Sequence, residues 1–126
     1  MKKSLSNNAI ICLGANTPDA AEQLAQARTV LETLGTVKRQ TEPYPTAPEY
    51  VTEGPAYLNQ LIELETTLTY QSLHDQSKDF EGDVRRFFKA GKLVPIDIDI
   101  VIWNGKILRP ADAKASYFKE GLSKLQ

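Results

Sequence analysis

Several residue types that commonly build functional sites are scarce in this chain of 126 residues, which contains one cysteine, one histidine and one tryptophan. A single cysteine, Cys12, excludes a disulfide within the chain and a zinc site of several cysteines. Cys12 lies in the apolar run from Ala9 to Leu13, where we expect it to act as a small buried hydrophobe. The histidine, His74, lies in a predicted helix, and we assign it a surface or half-buried position without a catalytic role.

The chain also lacks a charge excess and a long apolar segment. Fifteen basic residues nearly balance sixteen acidic ones, so no overall basic field attracts nucleic acid. Polar residues follow Met1-Lys2-Lys3 in place of the apolar segment of a signal peptide, and no stretch approaches the length of a membrane span. We therefore expect a single domain over residues 1–126 in the cytoplasm, with no nucleic-acid or membrane partner. The sequence assigns no oligomeric state.

Against this background, one segment carries two acidic residues where they are not expected. Isoleucine recurs at every second position between Pro95 and Trp103, which is typical of a β-strand. Asp97 and Asp99 would then share the opposite strand face, about 6.6 Å apart. Aspartate is depleted in strands and like charges repel, so local stability does not explain the pair. Two rigid carboxylates suit Mg²⁺, which typically binds one or two carboxylates together with substrate phosphates.

The alternative is a strand with one face in solvent, where two aspartates serve only solubility, as at the edge of a sheet. On this motif alone, the metal site and the solvated face are about equally supported, because short motifs also occur by chance. The rest of the chain has to decide between them.

Strands and helices alternate along the chain. We predict a strand over Ala9–Leu13, a helix opened by Thr17-Pro18-Asp19 and stopped by Gly35, strands over Thr36–Glu42 and Tyr57–Leu68, a helix capped by Thr69, and a final helix over Ala111–Leu125. Residues 43–55 and 82–93 are predicted loops, and Asn104-Gly105 is a predicted tight turn. The order β-α-β-β-α-β is the ferredoxin-like pattern of an α+β fold, an antiparallel sheet with helices on one face, here followed by a C-terminal helix.

Short motifs on these elements resemble those of one family. They are Leu13-Gly14-Ala15-Asn16 after the first strand, Tyr44 and Thr46-Ala47-Pro48 in the first loop, Tyr57-Leu58-Asn59 in the third strand, and Asp97-Ile98-Asp99-Ile100 followed by Asn104-Gly105. In this order, they resemble the hydroxymethyldihydropterin pyrophosphokinases of folate biosynthesis, over roughly residues 9 to 110.

The resemblance implies transfer of pyrophosphate from ATP to 6-hydroxymethyl-7,8-dihydropterin, with release of AMP. Asp97 and Asp99 would hold two Mg²⁺ ions that bridge the ATP phosphates, since this chemistry depends on alignment and on neutralisation of oxygen charge. Tyr57 matches the aromatic residue that stacks on the pterin, and Asn59 matches the side chain that reads its polar edge. Backbone near Thr46 would complete that edge. The structural alternatives are a core aromatic for Tyr57 and a turn or edge residue for Asn59.

The same resemblance assigns a nucleotide side. Glu81 matches an acidic residue there, and Lys106 and Arg109 are candidate contacts to ATP. The loop from Asp83 to Val94 resembles a mobile lid. Its catalytic candidates are Arg85, Arg86 and Lys92, which would close over the triphosphate. The alternative is a solvated basic loop, although the adjacent Phe87-Phe88 needs apolar contacts that such a loop does not offer.

Three departures from the family pattern create a second hypothesis. Val94 and Asp83 stand where the family carries arginines, and the chain lacks the family's final segment, whose aromatic ring completes the pterin sandwich. Phe118, or Tyr117, would supply that ring from the last helix. The first hypothesis is an active pyrophosphokinase. The second is a related module that binds a pterin, a nucleotide or a protein partner without efficient transfer. A ferredoxin-like interaction domain with solvated aspartates ranks third.

Overall fold

An antiparallel sheet forms the centre of the fold, and its middle strand is the apolar segment near the N terminus. The protein was analysed as a computed structural model that describes residues 6–46, 56–87 and 93–125. The six strands are β1 (Asn7–Ala15), β2 (Thr36–Gln40), β3 (Tyr44–Thr46), β4 (Tyr57–Thr66), β5 (Asp97–Trp103) and β6 (Lys106–Ile107). Their order is β2-β4-β1-β5-β6, and β3 pairs with β4. This arrangement confirms the predicted ferredoxin-like antiparallel sheet.

Four described helices cover the sheet: α1 (Ala20–Leu34), α2 (Tyr70–Phe87), α3 (Pro110–Lys114) and α4 (Ser116–Lys124). Apolar residues at helical spacing, among them Leu24 and Leu31 of α1, pack with α2 against one sheet face and form the main core. On the opposite face, Phe118 of α4 packs with Cys12 and Leu61 in a second, smaller core. Cys12 is thus a buried free thiol, as the sequence predicts.

Two predicted turn signals are confirmed. The Thr69 hydroxyl accepts a hydrogen bond from the backbone N–H of Ser72 at 3.1 Å and so caps α2. Asn104 and Gly105 both have positive φ, 51° and 80°, as a two-residue hairpin turn between β5 and β6 requires. None of the helices in the described ranges is both long and apolar enough to cross a membrane.

Several element boundaries differ from the prediction. α1 begins at Ala20, because the Thr17 hydroxyl bonds the Asp19 carboxylate at 2.7 Å and does not cap the helix backbone. The loop predicted from Gly82 is wrong at its start, since α2 continues to Phe87. The predicted final helix is two helices, because Ala115 has an extended backbone with ψ 145°.

Candidate active site

Strand pairing brings the predicted pterin residues and the predicted metal residues around one glycine. Gly14 of β1 lies directly opposite Asn59 of β4 and directly opposite Asp97 of β5. Residues opposite each other in a sheet share a face, and adjacent strands lie about 4.8 Å apart. Asn59 and Asp97 are therefore about 10 Å apart with Gly14 between them. Gly14 itself is buried and contributes no side chain between the two polar groups.

Tyr57 and Asn59 of β4 converge above this glycine. A Cβ atom at Gly14 would lie 3.0 Å from Asn59 Oδ1 and 3.7 Å from Tyr57 Cδ1. Asn59 is buried and its Nδ2 donates a hydrogen bond to the Thr46 hydroxyl. Burial, followed by the charge of Asp97, raises the pKa of Tyr57. The structure thus brings Tyr57, Asn59, Thr46 and Asp97 into one site.

Asp99 is the more electrostatically perturbed of the two strand aspartates. Burial, followed by repulsion from Asp97, raises the pKa of Asp99 to about 6. Two cations approach its Oδ1 atom, Lys78 Nζ at 3.5 Å and Arg109 Nη2 at 3.7 Å. The Asp99 carboxylate therefore lies among one like charge and two cations.

The donor set around the aspartates fits Mg²⁺. Within residues 6–46, 56–87 and 93–125, no three histidine, cysteine, aspartate or glutamate side chains are grouped closely enough to hold a metal ion. A cation on Asp97 and Asp99 would take its other ligands from a substrate or water. That combination of one or two carboxylates with external oxygens is typical of Mg²⁺ and atypical of a structural zinc site.

Glu81 bonds the protein's own backbone, and its contact to the nucleotide stays a prediction. Its side chain is buried, with 4% of the residue exposed. Glu81 Oε2 accepts hydrogen bonds from the backbone N–H of Ile98 at 2.7 Å and from Lys78 Nζ at 2.9 Å. Lys78 Nζ also donates to the Ile98 carbonyl at 2.8 Å. Ile98 lies between the two aspartates, so this ion pair contacts the strand at the centre of the candidate metal site.

Lys78 has no role in the sequence-based prediction, although the sequence contains a signal for it. The buried side of α2 consists of Leu73, Ser77, Glu81 and Val84. A carboxylate at a core position of a helix needs a partner, and Lys78 is the nearest lysine along the helix. Burial lowers the pKa of Lys78, whereas its hydrogen bond to Glu81 and the nearby acidic charges raise it by more. The net shift of the pKa is upward, so the side chain stays charged.

Asn16 fixes the segment that leads into the aspartate strand. Its backbone N–H donates to the Val94 carbonyl at 2.9 Å, and its Oδ1 accepts from the Val94 N–H at 2.5 Å. Asn16 is buried at the end of β1. The Leu-Gly-Ala-Asn motif thus contributes Gly14, over which the Asn59 and Tyr57 side chains lie, and Asn16 as an anchor. We assigned neither residue a role from the sequence, since both depend on strand pairing.

The cations predicted to belong to a lid are only partly described. Arg85 and Arg86 lie on the last turn of α2, which corrects their assignment to a loop. Arg85 Nη2 lies 3.9 Å from Glu81 Oε1, and Arg86 Nη1 lies 3.4 Å from Asp83 Oδ1. Lys92 lies outside the described residues.

Among the C-terminal candidates, Arg109 lies at the site and two others do not. Arg109 reaches Asp99 and also bonds Asp112. Lys106 pairs with Trp103, four residues beyond Asp99 and therefore about 13 Å away along the strand. Phe118 is 1% exposed in the second core, where its ring presents no face to a ligand. Apolar burial thus explains the Phe118 side chain in this structure without a role as the second pterin ring.

Comparison with known proteins assigns the family. The family model of 7,8-dihydro-6-hydroxymethylpterin-pyrophosphokinase (HPPK) matches residues 10–126. The chain belongs to the HPPK family. The resemblance seen in the motifs is therefore confirmed, and members of the HPPK family use ATP and magnesium.

Relatives of the chain are larger proteins of folate synthesis. It is 32% identical over 97 residues to the mitochondrial folate synthesis bifunctional protein of Pisum sativum, covering 75% of this chain and 19% of that protein. It is similar in fold to the Plasmodium falciparum HPPK-DHPS crystallised with STZ-DHP, with TM-score 0.62, 15% identity and coverage of 82% of this chain and 31% of that one. The wild-type HPPK-DHPS with pteroate gives TM-score 0.61 at 13% identity, covering 100% and 36%. The chain thus spans about a fifth to a third of the length of these relatives.

Proposed function

We propose that this chain transfers pyrophosphate from ATP to 6-hydroxymethyl-7,8-dihydropterin and releases AMP. In the balanced reaction, the hydroxymethyl oxygen bonds the β-phosphorus, the oxygen bridging the α- and β-phosphates leaves with AMP, and one proton is released. The observation that carries the proposal is the sheet surface around Gly14, which has an aromatic ring and an amide on one side and a carboxylate on the other. Substrate recognition and charge neutralisation can meet only where such groups share one surface.

The pterin half of the proposal rests on Tyr57, Asn59 and Thr46. Tyr57 would stack on the bicyclic ring, which suits an aromatic side chain that is half-buried and not fully packed. Because Asn59 Nδ2 donates to the Thr46 hydroxyl, the Asn59 amide is oriented with Oδ1 above Gly14. A fixed acceptor at that position selects a ligand with N–H donors along its edge, as a pterin has.

The nucleotide half rests on the aspartates and their neighbours. Asp97 and Asp99 would hold two Mg²⁺ ions, whose charge would offset that of the polyphosphate. Arg109 is already within 3.7 Å of Asp99 and would contact ATP with its free guanidinium donors. We keep Arg85, Arg86 and Lys92 as the proposed lid cations. The first two lie on the last turn of α2, which directly precedes residues 88–92 in the sequence. Glu81, Lys106 and Phe118 are not part of this proposal.

The wider setting of the activity follows the sequence-based expectations. We propose one catalytic domain over residues 1–126, no nucleic-acid partner because the charges balance, and a cytoplasmic location. The pea relative is named as mitochondrial.

A second candidate function is ligand binding without efficient transfer. It is favoured by Val94, which stands where the family carries an arginine and whose backbone is held by Asn16. An apolar side chain at this position adds no charge to a triphosphate.

The deciding experiment measures AMP formation from ATP with and without 6-hydroxymethyl-7,8-dihydropterin and Mg²⁺. An active pyrophosphokinase forms AMP only when all components are present. Absence of AMP at high enzyme concentration would overturn the proposed activity. Calorimetry then distinguishes a binding module from a protein that binds neither ligand. A binding module releases or absorbs heat with the pterin or with a non-hydrolysable ATP analogue.

A further inference from the structure

We propose that Glu81, together with Lys78, is a positioning residue of the metal site. The ion pair of buried Glu81 and half-buried Lys78 on α2 bonds the free edge of β5 at Ile98 and so fixes the direction in which Asp97 and Asp99 project. This inference rests on the proposed function, because it gives the aspartates a cation to hold.

At Ile98, one edge of β5 has no neighbouring strand in the described part of the chain. Over Asp97–Asp99, β5 pairs with β1 on one side, while β6 pairs only with Ile102 and Trp103 on the other. The backbone groups of Ile98 that point away from β1 therefore have no strand partner among the described residues. Unpaired strand groups need another partner or water. Glu81 accepts from the Ile98 N–H, and Lys78 donates to the Ile98 carbonyl.

The backbone of Ile98 sets the directions of the two neighbouring aspartate side chains. Ile98 is the residue between the two aspartates, and its side chain is buried in the main core on the opposite face. A side chain's direction follows the backbone of its own peptide units. Fixing both hydrogen-bonding groups of Ile98 therefore fixes the two peptide planes that connect Asp97 to Asp99. Ligand directions held within a few tenths of an ångström are what a metal site needs from its supporting residues.

The ion pair of Lys78 and Glu81 is not the most stabilising choice for this position of α2. Glu81 is buried, whereas the Lys78 side chain is 37% exposed, and an ion pair with a buried member is often no more stabilising than apolar residues of the same size. Hydrogen bonding to the edge of β5 gives the pair a structural reason. The position of Ile98 between the two aspartates gives it a further one.

The test replaces the pair without changing the net charge. The double variant Lys78→Met/Glu81→Met removes one positive and one negative group and keeps the volume of both side chains. The probe is Mn²⁺ with a non-hydrolysable ATP analogue, bound to the full chain and followed by electron paramagnetic resonance. We expect the Kd for Mn²⁺ to rise about 10- to 100-fold, as for loss of residues that orient metal ligands. The melting temperature should fall, because the Ile98 N–H and carbonyl lose their partners, but melting should stay cooperative.

Two further variants separate position from charge. Glu81→Gln keeps an acceptor oxygen for Ile98 and Lys78, so the Kd should stay close to that of the unaltered chain although a charge is lost. The exchange rate of the Ile98 amide hydrogen, followed by NMR without metal, should rise in the double variant and not in Glu81→Gln. As a matched control, the exposed pair Glu120 and Lys124 on α4, 3.9 Å apart, is changed to glutamines and should alter neither quantity.

The outcomes are distinct. If the unaltered chain binds Mn²⁺ and the double variant binds it equally well, the positioning role is wrong while the proposed function stands. Equal losses in Glu81→Gln and in the double variant would also overturn it, because charge would then explain the effect. Failure of the unaltered chain to bind Mn²⁺ with nucleotide would overturn the proposed function itself, and the inference with it.

Discussion

The sheet face that carries the candidate site has two halves, of which one is covered by a described helix and the other is not. In one half, Cys12 and Leu61 are covered by Phe118 of α4. In the other, the open half, two residues away along the same strands, a Cβ atom at Gly14 would meet only Asn59 and Tyr57 within 4 Å and no helix of the described chain, and Asp97 continues the row. The candidate site is therefore the part of this sheet face that α3 and α4 do not cover.

Side-chain size controls both halves. Gly121 lets α4 approach the sheet, since a Cβ atom there would overlap the Tyr44 hydroxyl and lie 2.5 Å from Leu61 Cγ. A Cβ atom at Gly14 would press against Asn59 Oδ1 at 3.0 Å, so this glycine leaves room for the Asn59 amide. One glycine therefore allows a helix to pack on the sheet face, and the other allows the Asn59 side chain to lie close to it.

The largest expected effect comes from the acidic side of the open half. Asp97→Asn and Asp99→Asn should each lower the rate of AMP formation by at least about 100-fold, because each removes a charge needed to balance the polyphosphate. Neither should destabilise the fold, since each relieves repulsion between like charges. The assay is AMP formation at saturating ATP, with thermal melting as the control. Normal rates in both variants would remove the metal assignment.

The covered half is tested through Gly121→Ala. The added methyl group must displace Leu61 or the Tyr44 hydroxyl, which donates to the Tyr117 carbonyl at 2.8 Å. We expect a loss of about 1–3 kcal/mol in the free energy of unfolding, measured by urea denaturation.

Gly82→Ala is the matched control for that variant, because nothing lies within 4 Å of its new Cβ atom in α2. It should gain about 0.5–1 kcal/mol, the usual advantage of alanine within a helix. Equal effects of the two variants would mean that α4 does not depend on close approach.

Gly14→Ala tests the open half with the same chemical change. Its Cβ atom would lie 3.0 Å from Asn59 Oδ1, close enough to shift the amide that we assign to the pterin edge. The KM for the pterin should rise by up to about tenfold, the value of one hydrogen bond, while the Kd for Mn²⁺ with nucleotide stays the same. Equal weakening of both ligands would contradict the division of the site into a pterin side and a metal side.

The smallest expected effect is a pH dependence of the metal-free protein. Burial and Asp97 raise the pKa of Asp99 from 3.8 to about 6 in the folded state. Between these values the folded protein holds one proton more than the unfolded chain, so its stability falls as pH rises. Mg²⁺ should reduce this loss by binding the charged form. Melting temperatures between pH 4 and 7 provide the measurement, and Asp99→Asn should lack this contribution. A stability that rises in the unaltered chain relative to Asp99→Asn would contradict the assignment.

Much of the architecture was predictable because it follows from local patterns. Alternating isoleucines around Asp97 and Asp99 predict the strand, Thr69 predicts a helix start, and Asn104-Gly105 predicts a hairpin turn. The end of α2 was not, because Gly82 and a cluster of charges resemble a loop while the helix continues through Val84, which packs in the core. Tertiary packing outweighs local propensity at such positions.

The candidate site was predictable only where its residues are neighbours on one strand. Tyr57 and Asn59 share a face by spacing alone, and so do Asp97 and Asp99. The hydrogen bond of Glu81 to the backbone of Ile98, and the burial of Phe118, depend on how α2 and α4 pack on the sheet. Such contacts join residues far apart in sequence and leave no local pattern.

By itself, the sequence determined the kinds of elements and the chemistry each could offer, because side-chain spacing within a strand or helix is fixed by backbone geometry. Only the tertiary structure decided that Gly14 separates Asn59 from Asp97, and that Lys78 and Glu81 meet Ile98. The reason is physical: strand register and helix docking are set by burial of the whole core, and no single segment contains that information.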